Sequence, residues 1–280
     1  MREGRGTGGG RLRPWPYAMY VEKSKGEPRT MKNSKTLRSI LVGLSLLVIA
    51  IVPVQGITAV TGVLADQKIK ICLDPGHGGS DPGAVNETYG LEEAEINLDV
   101  ATALKGLLEG AGFEVVMTRT ISETYLTNSD RYTFCNNEED PAADILVSVH
   151  TNSTLKTWMN GSMALYFHDD DKALAWAIHQ VVYESLKATD HYTDTANFID
   201  FGLSHFASGV LMRSDMPAAI VEPLCMSYEP EAKLLDQLAT VTESRRWQIA
   251  QAIYEGVLNY YGNPPQTPPE PGCYGPGCPR

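Results

Sequence analysis

Four residues of this 280-residue chain are placed to do chemistry: His77, Glu93, His150 and Glu222. The first stands in ICLDPGHGGSDPGA, residues 71–84, where three apolar positions run into Asp74 and the chain then breaks into glycines and prolines. Such a loop cannot lie inside a strand or helix. It lacks the third glycine of a dinucleotide fingerprint and the Gly-Lys-Ser/Thr of a P-loop. Its two prolines also remove backbone donors, so it makes a poor phosphate cradle. What its glycines allow is a tight path that presents His77 just beyond a strand's carboxyl end, the edge at which α/β sheets bind ligands.

Glu93 stands in LEEAEINLDVATALKGLLEGAG, residues 91–112. At about 100° per residue, Ile96, Val100, Ala103, Leu104, Leu107 and Ala111 form one apolar stripe. Glu93 falls on that stripe, Glu92 lies at its margin and Glu95 points away. A carboxylate aimed at a core is costly without a partner, and a metal ion would satisfy it. The plainer alternative is an acid favoured by the positive end of the helix. His150 ends the apolar run of ADILVSVH, and Glu222 ends that of MPAAIVE. Each has an ordinary reading too: a core or surface histidine, and a salt-bridge partner for Arg213. Taken together, two histidines and one carboxylate with an open fourth position form a catalytic zinc set, and the remaining glutamate is a general base.

The elements that must position these groups alternate. Strands are expected over 68–74, 113–118, 144–150, 163–167, 210–213 and 218–222. Helices are expected over 92–110, 129–139, 171–188, 229–238 and 243–260. The alternation predicts an α/β fold: a single domain with a central, mostly parallel or mixed β-sheet and helices on both faces. Residues 189–209 have no clear period and are expected to form a substrate-facing flap.

Charge divides the chain. Residues 1–65 hold 10 of the 23 Lys+Arg but 3 of the 34 Asp+Glu, which leaves 13 basic and 31 acidic groups beyond them. A domain that acidic is unsuited to gripping nucleic acid or an anionic membrane. Residues 1–30 read as a disordered leader or a misplaced start. Residues 31–65 read as a signal peptide or an N-terminal membrane anchor, with Lys32, Lys35 and Arg38 ahead of an uncharged run. Either reading exports residues 66–262, and membrane attachment is expected only through residues 40–65. Residues 263–280 form a Pro/Gly-rich tail. Of the five cysteines, none falls at zinc-finger spacing; Cys72 and Cys225 are expected in buried segments, Cys135 in a helix, and Cys273 and Cys278 in the tail. His168, His179, His191 and His205 read as ordinary surface or loop residues.

The blocks LDPGHGGSDPGA, EAEINLDVA, VVMTR, ADILVSVHTN and MPAAIVE occur in one order across residues 68–262. In them the chain resembles the zinc-dependent N-acetylmuramoyl-L-alanine amidases of bacteria, those with a single α/β catalytic domain. The resemblance implies one Zn2+ held by His77, Glu93 and His150, with Glu222 as the catalytic acid–base. It implies cleavage of the amide joining N-acetylmuramic acid to L-alanine, in peptidoglycan outside the cytoplasmic membrane. The chain departs from the family pattern at Thr151, Ser153, Cys135 and the segment PLCMS after Glu222. None of these removes a ligand, though the last bears on the site wall. A zinc peptidase and a catalytically silent wall-binding module are the competing readings. No residue identifies a protein activator.

Overall fold

The computed structural model describes residues 68–137, 142–188 and 198–262. The expected leader, signal or anchor segment and tail therefore lie outside the described residues, as do 189–197 of the expected flap and His191.

The sheet begins with β1 (Lys70–Pro75), buried along its whole length. On one side β1 pairs in parallel with β4 (Glu114–Met117) and on the other with β5 (Ile145–Val149). β5 pairs in parallel with β8 (Ala218–Glu222). The sheet then reverses, because β6 (Asn160–Tyr166) runs antiparallel to β8 and carries the edge strand β7 (Phe198–His205) parallel to itself. The order is β4-β1-β5-β8-β6-β7. Strands covered on both faces read as unbroken apolar runs, which is why the three inner parallel strands were legible as KICLDP, ILVSV and AAIVE.

Alternation along β1 sorts the two cores. Ile71 and Leu73 face the larger one, with α1 (Glu93–Gly110), α3 (Asp171–Ala188) and α6 (Arg245–Gly262). Cys72 faces the smaller one, with α2 (Asn128–Cys135) and α4 (Gly209–Arg213). The remaining helix, α5 (Glu229–Leu235), buries Ala232 and Leu235 against the larger core. A short antiparallel ribbon, β2 (Val85–Asn86) and β3 (Leu91–Glu92), leads into α1. The expected α/β architecture is the observed one.

Two expectations are corrected. Residues 210–213 are not a strand but most of α4, whose N-cap Ser208 accepts from the Val210 amide. Four apolar residues are too few to separate a period of 2 from one of 3.6. Residues 198–205 are not a flap but β7. An edge strand is half exposed and has one neighbour, so its pattern FIDFGLSH shows neither a buried run nor a clean alternation.

Cys72 and Cys135 form a disulfide with Cα atoms 5.7 Å apart, tying β1 to the last residue of α2 across 63 residues. Reduction, or Cys135→Ser, is expected to lower the denaturation midpoint measured by circular dichroism. The loop-entropy account gives about 4 kcal/mol for a loop of this length. A reduced protein as stable as the oxidised one would contradict this.

Candidate metal centre

Three parallel strands deliver the candidate residues to one edge. β1 ends at Pro75, and the loop that follows is pinned where the Gly76 amide donates to Val149 O at 2.9 Å. β5 ends at Val149, and the His150 amide donates to Val221 O at 3.0 Å. β8 ends at Glu222 itself. Glu93 opens α1, its amide donating to Ala84 O at 2.9 Å. Glu93, the expected carboxylate, is buried, whereas Glu92 and Glu95 are exposed.

His77, Glu93 and His150 bring one ligand atom each to within 4.8 Å of one another. Glu93 Oε1 lies 3.2 Å from His77 Nε2 and 3.0 Å from His150 Nδ1. The two imidazoles meet edge to face with centroids 4.9 Å apart. Glu93 is 2 % exposed and His77 6 %, so the cluster is drier than a surface ion pair. The donor set of two nitrogens and one carboxylate suits zinc.

The backbone is shaped to allow this convergence. A Cβ on Gly76 would sit 2.3 Å from the His150 ring. One on Gly83 would sit 2.7 Å from Glu93 Oε2 and from the His77 ring, and Gly83 has φ +68° besides. His77 itself has φ 61°, a left-handed conformation that non-glycine residues adopt rarely, histidine somewhat more readily than most.

A second layer fixes the first. Asp81 Oδ2 lies 2.8 Å from His77 Nδ1, which leaves Nε2 turned to Glu93; metal-binding histidines commonly have such a carboxylate behind them. The Ala84 amide donates to Glu93 Oε2 and the Thr151 amide to Oε1. Asn97 is fully buried, donates to Glu93 Oε1 and Gly76 O at 3.4 Å each, and accepts from Thr151 Oγ1. Sequence reasoning missed Asp81 and Asn97. Asn97 carried a signal, one turn beyond Glu93 on the same stripe.

Burial alone would raise the Glu93 carboxyl, but hydrogen bonds to His150 and His77 hold it well below the usual carboxylate range. Burial would lower His77, yet Glu93 and then Asp81 raise it above an ordinary imidazole. His150 goes the other way, because burial outweighs Glu93. Glu222 is raised well above a normal glutamate, first by burial and then by the charge of Glu93. Its Oε2 is buried and has no hydrogen-bond partner among the described residues. The salt bridge to Arg213 considered for it does not occur: the Arg213 carbonyl accepts from Asn136, and its side chain is exposed on α4.

The PLCMS segment that follows Glu222 is buried throughout. Cys225 bridges to Asn152, and the Met226 amide donates to Asn152 O at 2.8 Å. Cys225 is a free, buried thiol pushed up to about 12, chiefly by burial. Asn86 Nδ2 donates to Met226 O. The segments leaving the centre also line a recess of about 300 Å³ with Asn86, Tyr89, Thr157, Ser227 and Glu229 among its walls. Of the other histidines, His168 and His179 are buried rather than superficial. His179 Nε2 lies 2.7 Å from Asp200 on β7, and His205 stacks on Phe167. The centre brings in none of these three.

Comparison with known proteins groups the chain as follows. Residues 71–259 match the family described as N-acetylmuramoyl-L-alanine amidase (Amidase_3). The "Probable cell wall amidase LytH" of Staphylococcus saprophyticus is 31% identical over 192 residues, covering 68% of this chain and 58% of its own length. The N-acetylmuramoyl-L-alanine amidase LytC of Bacillus subtilis is 30% identical over 195 residues, covering 68% of this chain and 35% of its own. The chain thus spans about half the length, or less, of the curated relatives it matches. Among solved structures, the N-acetylmuramoyl-L-alanine amidase from Clostridium difficile 630 aligns with TM-score 0.60 at 28% identity, covering 70% of this chain and 98% of that one. The CwlD amidase from Clostridioides difficile, solved in complex with the GerS lipoprotein, aligns with TM-score 0.59 at 26% identity, covering 70% and 99%.

Gly76→Ala is expected to push the His150 ring off Glu93. Imidazole nitrogen NMR should show the loss of the Nδ1 hydrogen bond, with the backbone spectrum elsewhere unchanged. An unmoved His150 signal would show that the ring has slack that the 2.3 Å approach denies.

Proposed function

The chain belongs to the N-acetylmuramoyl-L-alanine amidase family, and we propose that it is a zinc-dependent hydrolase of peptidoglycan. In this reading it cleaves the amide between N-acetylmuramic acid and L-alanine and releases stem peptides from intact glycan. The observation that carries the proposal is the convergence of His77, Glu93 and His150 on the sheet edge where Glu222 holds a buried carboxylate oxygen without a hydrogen-bond partner among the described residues. The chemistry of that donor set fits zinc, and His77, Glu93 and His150 are the residues that would hold it. Bound there, zinc would polarise an amide carbonyl and lower the pKa of a water.

The chain's own residues supply the rest. Asp81 fixes the His77 tautomer through Nδ1. Glu93 keeps its negative charge in a dry site, because its oxygens accept two backbone amides besides the imidazoles. Glu222 is the group that moves a proton. Its carboxyl is pushed up by burial and by Glu93, the kind of environment by which enzymes tune acid–base groups. Oε2 takes the proton of the attacking water and returns it to the departing L-alanine nitrogen.

A peptidoglycan substrate requires export. The Cys72–Cys135 disulfide supports that reading, since such bonds persist in oxidising compartments. A protein partner belongs to the same proposal, on the ground that CwlD was solved with GerS.

Digestion of purified peptidoglycan, read by mass spectrometry, tests the reaction. Stem peptides with a free L-alanine amine should appear, vanish with a chelator and return with zinc. Peptides beginning at any other residue would replace the amidase by a peptidase. Glu222→Gln should keep zinc and lose about 10²–10⁴-fold in turnover; full activity would remove Glu222 from its role. Zinc binds neutral imidazoles, and His77 holds its proton above the ordinary 6.5. Zinc affinity should therefore begin to fall while the pH is still above that value and continue falling toward acid. A flat affinity between pH 8 and 5.5, measured by chelator competition, would contradict the ligand assignment.

A further inference from the structure

We propose that Arg119 is a positioning residue that sets the spacing between His77 and Glu93 and so holds the cluster ready for metal. The inference rests on the reading above that these side chains hold zinc. Arg119 follows β4 and is 3 % exposed. Its Nη2 donates to Gly76 O at 2.9 Å and to Ala94 O at 2.7 Å. Gly76 immediately precedes His77, and Ala94 immediately follows Glu93. One nitrogen therefore grips the chain beside two members of the cluster. Nε adds Pro75 O at 3.0 Å, so the planar guanidinium fixes the direction of the grip as well as its length.

Arg131, from α2, completes the brace from the other side. It donates to Asp74 Oδ1 at 2.7 Å and to the carbonyls of Pro75 and His77, both at 2.8 Å. The carbonyls of Pro75, Gly76 and His77 are all held by these two arginines. The loop needs this, since its glycines leave the backbone free to wander. The arrangement is expensive as pure stabilisation. Burial, and then the like charge of Arg131, lower Arg119 to about 10, against the opposing pull of Asp74. Buried charges of this kind are often no better for stability than an apolar replacement. What the guanidinium provides that an apolar side chain cannot is a fixed separation between a loop carbonyl, Gly76 O, and a helix carbonyl, Ala94 O. Arg131 shares the load on the His77 side, but of the two arginines it is Arg119 that reaches across to the first turn of α1.

The test uses the full-length protein, with Arg119→Gln and Arg119→Lys. Zinc affinity is measured by competition with a chromophoric chelator, cobalt is loaded to report ligand geometry by its visible spectrum, and the melting of the metal-free form is followed separately. Arg119→Gln should weaken zinc at least tenfold and alter the cobalt spectrum, with methylguanidinium restoring part of the affinity. Arg119→Lys should fall between, because an ammonium has no planar fork. Lower melting with unchanged zinc affinity and cobalt spectrum would make Arg119 merely structural and overturn the proposal. Should neither variant fold, the unaltered metal-free protein decides by exchange of the Arg119 Nε proton. Slow exchange is expected, and exchange as fast as that of an exposed arginine would overturn the proposal. If the unaltered protein binds no zinc, the metal reading itself has failed and this inference falls with it, an outcome distinct from equal binding by wild type and variants.

Discussion

A carboxylate buried between two imidazoles is the constraint on which the rest of this structure depends. Glu93 is 2 % exposed, and an ionised group in that position is tolerable only if its oxygens are satisfied. Two backbone amides, from Ala84 and Thr151, do part of this. Those amides belong to different segments, so satisfying Glu93 requires the loop after β1, the start of α1 and the end of β5 to meet. The parallel order β1-β5-β8 makes that meeting possible. Strands running the same way end at the same edge, and their last residues are neighbours whatever their separation in sequence.

A set of buried charges one layer further out carries the same logic. Asp74 accepts from Thr118, Arg131 and Ser148, and these together hold its carboxyl below the usual range against the opposing effect of burial. The Cys72–Cys135 disulfide lies beside this pairing, two residues before Asp74 on β1 and four after Arg131 on α2. The two links are therefore neighbouring rungs between one strand and one helix, one covalent and one ionic. They hold α2 against the sheet so that Arg131 can reach the His77 carbonyl.

How much of this was legible in sequence follows from what each residue type reveals locally. The inner strands were readable because burial on both faces leaves only apolar residues. Glu93 was readable because a charged residue on an apolar stripe is a local contradiction. His150 and Glu222 were readable as polar ends of apolar runs. The roles of Arg119 and Arg131 were not, since Arg119 ends the VVMTR block as an ordinary strand-end charge, Arg131 sits in a polar helix, and each acquires its role only from carbonyls more than 20 residues away. Asp81 looked like one more turn residue in a Gly/Pro loop. The disulfide joins two cysteines whose local contexts, a strand and a helix, say nothing of their adjacency. β7 and α4 were misread for the complementary reason, an edge strand with too little burial and a helix with too few residues.

The segment after Glu222, where the chain departs from the family pattern, is firmly held. PLCMS is held by groups that are themselves deeply fixed. The Cys225 amide donates to Asn160 Oδ1, and Asn160 Nδ2 donates to Glu231 Oε1. Glu231 is fully buried and receives Arg245 through two nitrogens, Nε and Nη2, both at 2.8 Å. Paired guanidinium–carboxylate contacts of this form are directional as well as strong, so the chain from α6 through α5 and β6 has little freedom to shift. The residues after Glu222 are therefore positioned through their backbone, and also by Leu224 and Met226, whose side chains pack in the larger core. The glutamate at the end of β8 is held in place by the same framework.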